Sequence, residues 1–324
     1  MKSMLIAALA ALVLALPVRA QTRWVGATAY PEGNYHTQNL RQFLAEVEQA
    51  TGGKLAVQLH TNASLLPMPQ IKRAVQTGQI QMGEILLAAY GNEDPFFELD
   101  FIPFLADTWE KARALNEVTE PVLRAHLARQ GITLLYLAHW PSQAFVTRTE
   151  INRAEDLRGA RFRAQSTTLA RLAELVGAIP VTVQQAEVPQ AFSAGIVNVM
   201  ITSAQTSVDT SAWDFTRYFY DVGMMYVRNA VLVNTRAFNA LDEATRKALR
   251  EAAAHAAARG PGLAQNSERT MTERLRAHGM LTPAPNPEFV AAMRGFGERM
   301  AQEWAQKAGP EGQAALERYR AMIR

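Results

Sequence analysis

The chain contains no cysteine. Disulfides, thiolate nucleophiles, zinc–cysteine sites and iron–sulfur clusters are therefore excluded as internal features. A surplus of one charge is lacking as well, with 33 basic residues against 30 acidic ones in 324. Nucleic-acid binding concentrates positive charge in a patch, and none is visible, so no nucleic-acid partner is expected. Beyond the first twenty residues no stretch approaches the roughly 18 apolar residues that a membrane helix needs. There is no glycine loop ending in Lys-Ser/Thr and no Gly-x-Gly-x-x-Gly after a strand. A Gly-x-Ser-x-Gly elbow is also missing. The six histidines (His36, His60, His126, His139, His255, His278) are scattered, without a His-Glu-x-x-His pair. The neighbouring carboxylates of Glu93-Asp94 and Glu155-Asp156 fall in loops and diverge. No cofactor and no metal are expected, and nothing asks for an enzyme.

What is present is ordinary globular composition, 48% hydrophobic and 19% charged. The length exceeds what a single core usually supports, so two domains are expected. Met1, Lys2 and Ser3 form a short positive start, and Met4 to Leu16 is an apolar run of 13 residues. That run is too short to span a bilayer comfortably. Pro17 follows, then the small-residue boundary Val18-Arg19-Ala20. Residues 1–20 read as a secretory signal peptide cleaved before Gln21, which sends the mature protein to the periplasm. Without Lys2 and Arg19 the basic count falls to 31, close to balance with the 30 acidic residues.

Along the mature chain the hydrophobic period alternates between 2 and 3.6. Trp24 to Tyr30 reads as a strand, and Leu40, Phe43, Leu44 and Val47 fall at helical spacing before Gly52-Gly53. Leu55, Val57 and Leu59 alternate with polar residues, as in a strand. A helix over Pro69–Thr77, a strand over Ile80–Leu87, a helix over Trp109–Gln130 and a strand over Ile132–Ala138 follow. The second half repeats the theme: strands over Arg161–Ala164, Ile179–Val183 and Val197–Thr202, with helices over Thr168–Val176 and Val188–Ser193 between them. Such alternation predicts α/β sheets with helices on their faces. From Leu241 onward the chain is almost wholly helical. Gly260-Pro261-Gly262 is expected to kink or divide the first of these helices. Phe289, Met293, Phe296, Met300 and Trp304 form a core-packing stripe on another.

Four segments share their order and spacing with one family. Arg153-Ala154-Glu155-Asp156-Leu157-Arg158-Gly159-Ala160-Arg161-Phe162-Arg163 comes first in specificity. Gly177-Ala178-Ile179-Pro180-Val181 begins 14 residues after Arg163. Glu187-Val188, Ala191 and Gly195-Ile196-Val197-Asn198 form the third, and Val47-Glu48 with Thr51-Gly52-Gly53-Lys54-Leu55 the fourth. From about Trp24 to Leu249 the chain resembles the TRAP-transporter solute-binding proteins of the DctP type. The resemblance implies a bilobed class II periplasmic binding fold, two α/β domains joined by hinge strands, with long C-terminal helices. It implies a receptor that encloses a small organic acid and delivers it to the membrane permease subunits of an ion-driven TRAP transporter. Lobe one would comprise 22–141 and 229–268, and lobe two 142–228 and 269–324, with hinges near Trp140 and Arg228 and a long helix bridging both lobes near 242–278. Two other readings are a periplasmic sensor coupled to a signalling partner and a periplasmic enzyme acting on an organic acid. The enzyme lacks a nucleophile or metal constellation.

Arg163 falls on the family's carboxylate-binding arginine. A guanidinium grips a carboxylate with two parallel hydrogen bonds, a planar match that lysine cannot make. Strand period alone puts Arg161 and Arg163 on one face and does not choose between them. Gln143 lies near the place where many members carry a second arginine, and Thr202 takes the position of a common asparagine. One cation fewer favours a monocarboxylate ligand over a dicarboxylate. Thr202 and Ser203 can hydrogen-bond its oxygens. Tyr35, Asn62 and Glu84 lie at or near the ends of the first three strands, where open α/β sheets place ligand contacts. Glu84 interrupts an apolar strand, so it must reach the cleft or find a partner, and the cleft is the favoured expectation. Trp140 could stack on the ligand or pack in the hinge.

Overall fold

The computed structural model describes residues 21–324; the segment on which the signal-peptide reading rests lies outside the described residues. Ten strands are formed among the described residues: β1 (Thr22–Ala27), β2 (Leu55–His60), β3 (Met82–Leu86), β4 (Ile132–His139), β5 (Gln143–Thr147), β6 (Arg161–Ala164), β7 (Ile179–Thr182), β8 (Val199–Ser203), β9 (Tyr218–Tyr220) and β10 (Arg228–Asn234). They build two five-stranded sheets, ordered β2-β1-β3-β10-β4 and β7-β6-β8-β5-β9. In the first, β1, β2 and β3 are parallel and β10 runs antiparallel to β3 and β4. The second mirrors it, with β6, β7 and β8 parallel and β5 antiparallel to β8 and β9. The chain therefore crosses between sheets twice, after β4 and after β9. The two crossings lie side by side: the Trp140 amide donates to the Val227 carbonyl at 2.8 Å, and the Gln143 amide to Met225 at 3.2 Å.

Nine α-helices, besides short 3-10 turns, are formed among the described residues: α1 (Tyr35–Ala50), α2 (Met68–Thr77), α3 (Trp109–Arg129), α4 (Thr167–Leu175), α5 (Val188–Ser193), α6 (Ala204–Asp209), α7 (Thr235–Asn239), α8 (Glu243–Ala277) and α9 (Pro287–Met322). Asn34 caps α1 by accepting the His36 amide, and Leu40, Phe43 and Val47 bury its apolar stripe. α2 packs so closely on β3 that a Cβ at Gly83 would lie 2.4 Å from the Ile71 side chain. Only glycine fits beside Glu84.

The long helices correct one expectation. α8 runs unbroken for 35 residues with Pro261 inside it, so Gly260-Pro261-Gly262 does not divide it. Proline withholds one backbone donor, but tertiary packing outweighs local propensity. Ala252, Ala253 and Ala256 are buried in the core beneath the first sheet. Leu275, nearer the other end, joins a core of the second. Asn39 Nδ2 also donates to the Ala256 carbonyl at 3.0 Å, supporting the backbone one turn before the proline. The interruption falls instead in α9, where Gly309 leaves the helical region at φ 66° immediately before Pro310. Phe289, Met293, Met300 and Trp304 of the expected stripe are buried, and Phe296 packs against the same core. α9 contacts both α3 and α4. Among the described residues no helix is long and apolar enough to cross a membrane.

A ligand-sized cavity between the two sheets

The carboxyl ends of the parallel strands of both sheets converge on one cavity of about 140 Å³. Ala29 and Tyr30 after β1, Ala63 and Met68 after β2, and Leu86 at the end of β3 form one wall. Arg163 and Gln165 from β6 and its end, Gln184 to Glu187 after β7, Thr202 of β8 and Thr206 of α6 form the other. Trp140, beside Tyr30, and Gln143 and Val227, all from the crossings, complete the lining. A larger groove, about 860 Å³, lies between α3, β4 and α8. Its Arg124 is already held by Glu120 and the Leu134 and Leu135 carbonyls, and no strand ends converge there.

Arg163 is buried, with 3% of its surface exposed. Its Nε donates to the Val183 carbonyl at 3.0 Å, and among the described residues its terminal nitrogens have no hydrogen-bond partner and no acidic side chain pairs with it. Burial pushes its pKa down to about 10, opposed by the fields of Tyr30 and Glu187. It still carries its charge at neutral pH. A buried cation without an anion is costly, and here the terminal fork faces the cavity. Arg161, at the opposite end of β6, is exposed, so position along the strand separates two arginines that strand period could not.

Most of the other polar residues expected at the site are held by partners of their own. Glu84, which the sequence led us to expect in the cleft, does not line the cavity. Its carboxylate accepts from Thr28 Oγ1 at 2.8 Å and from Asn229 Nδ2 at 3.0 Å, and it lies 3.4 Å from His36 Nδ1. It found partners one layer behind the wall. Tyr35 also stands back, because its hydroxyl donates to the His139 carbonyl at 2.6 Å. Ser203 is buried as the N-cap of α6, accepting the Thr206 amide at 3.2 Å. Asn62 is exposed in a left-handed turn conformation (φ 55°), and the adjacent Ala63 faces the cavity instead. Trp140 lines the cavity, and its Nε1 donates to Asn229 Oδ1 at 2.8 Å. Gln143 lines the cavity with its amide donating to the Pro141 carbonyl at 2.8 Å.

Arg163, Gln143, Thr202 and Trp140 are thus brought together, whereas Glu84, Tyr35, Asn62 and Ser203 are not. Sequence reasoning missed Tyr30, Gln165, Gln184, Gln185 and Thr206. The strand-end rule used for the first sheet would have found Gln165, which follows β6 directly, and Gln184, two residues beyond the end of β7.

Two sheets, two crossings and a largely apolar cavity with a few polar groups between strand ends are the arrangement of a solute-binding protein of the periplasmic type. The chain belongs to the bacterial extracellular solute-binding proteins of family 7, the DctP family of TRAP receptors, whose model matches residues 26–307. It is similar to DctP6, an extracytoplasmic solute receptor of Bordetella pertussis that binds pyroglutamic acid. The two share 44% identity and a TM-score of 0.91, over 93% of this chain and 100% of that one. A TRAP solute-binding protein from a marine metagenome, specific for pyroglutamate, shares 32% identity at a TM-score of 0.89, covering 93% and 99%. The chain spans about half the length of the protein YiiZ of Salmonella typhimurium, at 26% identity over 175 residues, 52% of this chain and 54% of that one.

Proposed function

We propose that this chain is an extracytoplasmic receptor for a small cyclic monocarboxylate of the pyroglutamate type, delivering it to a TRAP permease. The observation that carries this reading is Arg163, a buried cation without an ion-pair partner among the described residues, in a cavity whose other lining is amides, hydroxyls, apolar groups and one carboxylate, Glu187, that feels its charge without pairing with it. One guanidinium fork matches one carboxylate. The amides of Gln143, Gln165 and Gln184 each offer a donor and an acceptor, as a lactam requires. The volume fits as well. An engineered cavity of about 150 Å³ holds benzene, so about 140 Å³ suits one small ring and its substituent. The pyroglutamate receptors above support the same ligand class.

In this reading residues 22–141 with 229–268 and residues 142–228 with 269–324 are lobes that close by bending at Trp140 and Arg228. The test is thermal-shift screening and titration calorimetry of refolded, ligand-stripped protein against pyroglutamate, proline, succinate and glucuronate. Pyroglutamate at about 100 times its Kd should add roughly 2.7 kcal/mol of stability. Tighter binding of succinate or glucuronate would overturn the monocarboxylate reading.

A further inference from the structure

Glu84 is left without a role by the site as described, yet it is among the most deeply buried charged residues, with 1% exposure. What it touches gives it one. Asn229, on β10 at the edge of the crossing, is fully buried. Its Oδ1 accepts two hydrogen bonds, from Tyr30 Oη at 3.1 Å and from Trp140 Nε1 at 2.8 Å. Its Nδ2 donates to Glu84 Oε1 at 3.0 Å, while Glu84 Oε2 accepts from Thr28. Tyr30 and Trp140 both line the cavity, their rings meeting edge to face at 5.0 Å.

The donor and acceptor types allow only one orientation of the Asn229 amide. The indole N–H of Trp140 can only donate, and both Glu84 oxygens act as acceptors. Turning the amide over would set Nδ2 against the indole N–H and Oδ1 against the carboxylate. Each of those buried contacts would be lost without replacement. We infer that Asn229, oriented by Glu84, is a positioning residue for the ligand site, locking the two aromatic side chains of one cavity wall through a single carbonyl oxygen. It acts from one layer behind, and it ties that wall to the strand on which the chain returns to the first sheet. The inference rests on the proposed ligand site, but its geometry lies on one side of the cavity.

A charge swap tests it. Asn229→Asp opposes two carboxylates and should shift the Trp140 indole N–H resonance, assigned by its loss in Trp140→Phe. It should also weaken pyroglutamate binding about tenfold or more. Adding Glu84→Gln supplies an amide that donates in the reverse direction, so the double variant should recover the resonance and bind within about threefold of wild type. The recovered resonance reports the Trp140 hydrogen bond to position 229, and the coupling to Tyr30 and Trp140 separates positioning from a merely structural role. In a Tyr30→Phe/Trp140→Phe background, Asn229→Asp should cost less than about threefold, because the groups it positions no longer donate. Full additivity there, or a single variant that leaves both resonance and affinity unchanged, would overturn the inference. If Asn229→Asp does not fold, the wild type still decides: the Trp140 indole proton should exchange slowly with solvent, and rapid exchange sinks the idea. Failure of pyroglutamate to bind wild type would reject the ligand reading, while the indole signal would still report on Asn229.

Discussion

Arg163 and Arg228 are buried to nearly the same degree, at 3% and 1% exposure, one on each sheet. Their surroundings differ. Arg228 Nε donates to Asp100 at 3.0 Å, and its Nη1 donates to Asn116 and Thr119 at 3.1 and 2.8 Å. Arg163 has a single carbonyl at Nε and no acidic partner among the described residues. Burial alone therefore says nothing of function. The difference lies in the counter-ion: Arg228 has Asp100, although its Nη2 stays without a hydrogen-bond partner among the described residues, whereas no carboxylate pairs with Arg163, and that missing counter-ion is what supports reading Arg163 as the ligand-facing cation. The same comparison assigns Glu84, whose oxygens are both engaged, to the supporting framework.

If that contrast is right, the two arginines should fail in different ways. Arg163→Ala should cost about 3–5 kcal/mol of ligand affinity, since it strands the ligand anion in a water-poor cleft. Calorimetry on the folded variant measures this, and binding equal to wild type would contradict it. Arg163→Lys should recover only part, because a point charge lacks the planar fork. The ligand-free Arg163→Met variant should lose no stability, as it removes an uncompensated buried charge. Arg228→Ala should behave in the opposite manner. It leaves Asp100 buried, a carboxyl that burial already raises despite the arginine beside it. The expected loss is about 3–5 kcal/mol of unfolding free energy, read by urea denaturation without ligand.

Much of this architecture was legible before the structure. Hydrophobic period located the parallel strands and their helices, because each element must bury one face. The motif around Arg163 chose between two arginines that alternate identically, and the strand-end position explains why that choice has physical content. Partner counts were not legible. The sequence shows that Glu84 interrupts an apolar strand, but not that Thr28 and Asn229, from distant segments, meet it. The continuity of α8 was hidden for a similar reason. Gly260-Pro261-Gly262 speaks for a local break, whereas the alanines that bury against the first sheet act through contacts far along the chain.

A carboxyl near the crossings offers a smaller test of the same rule. Burial and the neighbouring Asp221 raise Glu268 of α8 from 4.5 to about 7, against a hydrogen bond from the Ser142 backbone. The folded state then binds more protons than the unfolded state between these values. Stability from this group is complete below pH 4.5 and is lost as pH rises through 7. Glu268 is partly exposed, so solvent screening reduces the effect to about 1–2 kcal/mol. Urea denaturation at pH 5 and pH 8 should show the loss in wild type. Glu268→Gln should flatten it, and an unchanged slope would remove Glu268 as its source.

The smallest expected effect belongs to Gln143, which the family pattern places near a second arginine. Here the side chain lines the cavity, but one of its donors is already given to the Pro141 carbonyl at 2.8 Å. What remains for a ligand is a neutral dipole. A neutral hydrogen bond contributes on the order of 1 kcal/mol net, so Gln143→Ala should weaken pyroglutamate binding by about that much or less. The ratio of the two losses carries the argument. Arg163→Ala should exceed Gln143→Ala by at least about 2 kcal/mol, because one group neutralises a buried anion and the other only solvates a ring oxygen or nitrogen. Equal losses in calorimetry would mean that the carboxylate is shared between the crossing and β6. The lone-cation reading of this cavity would then fail.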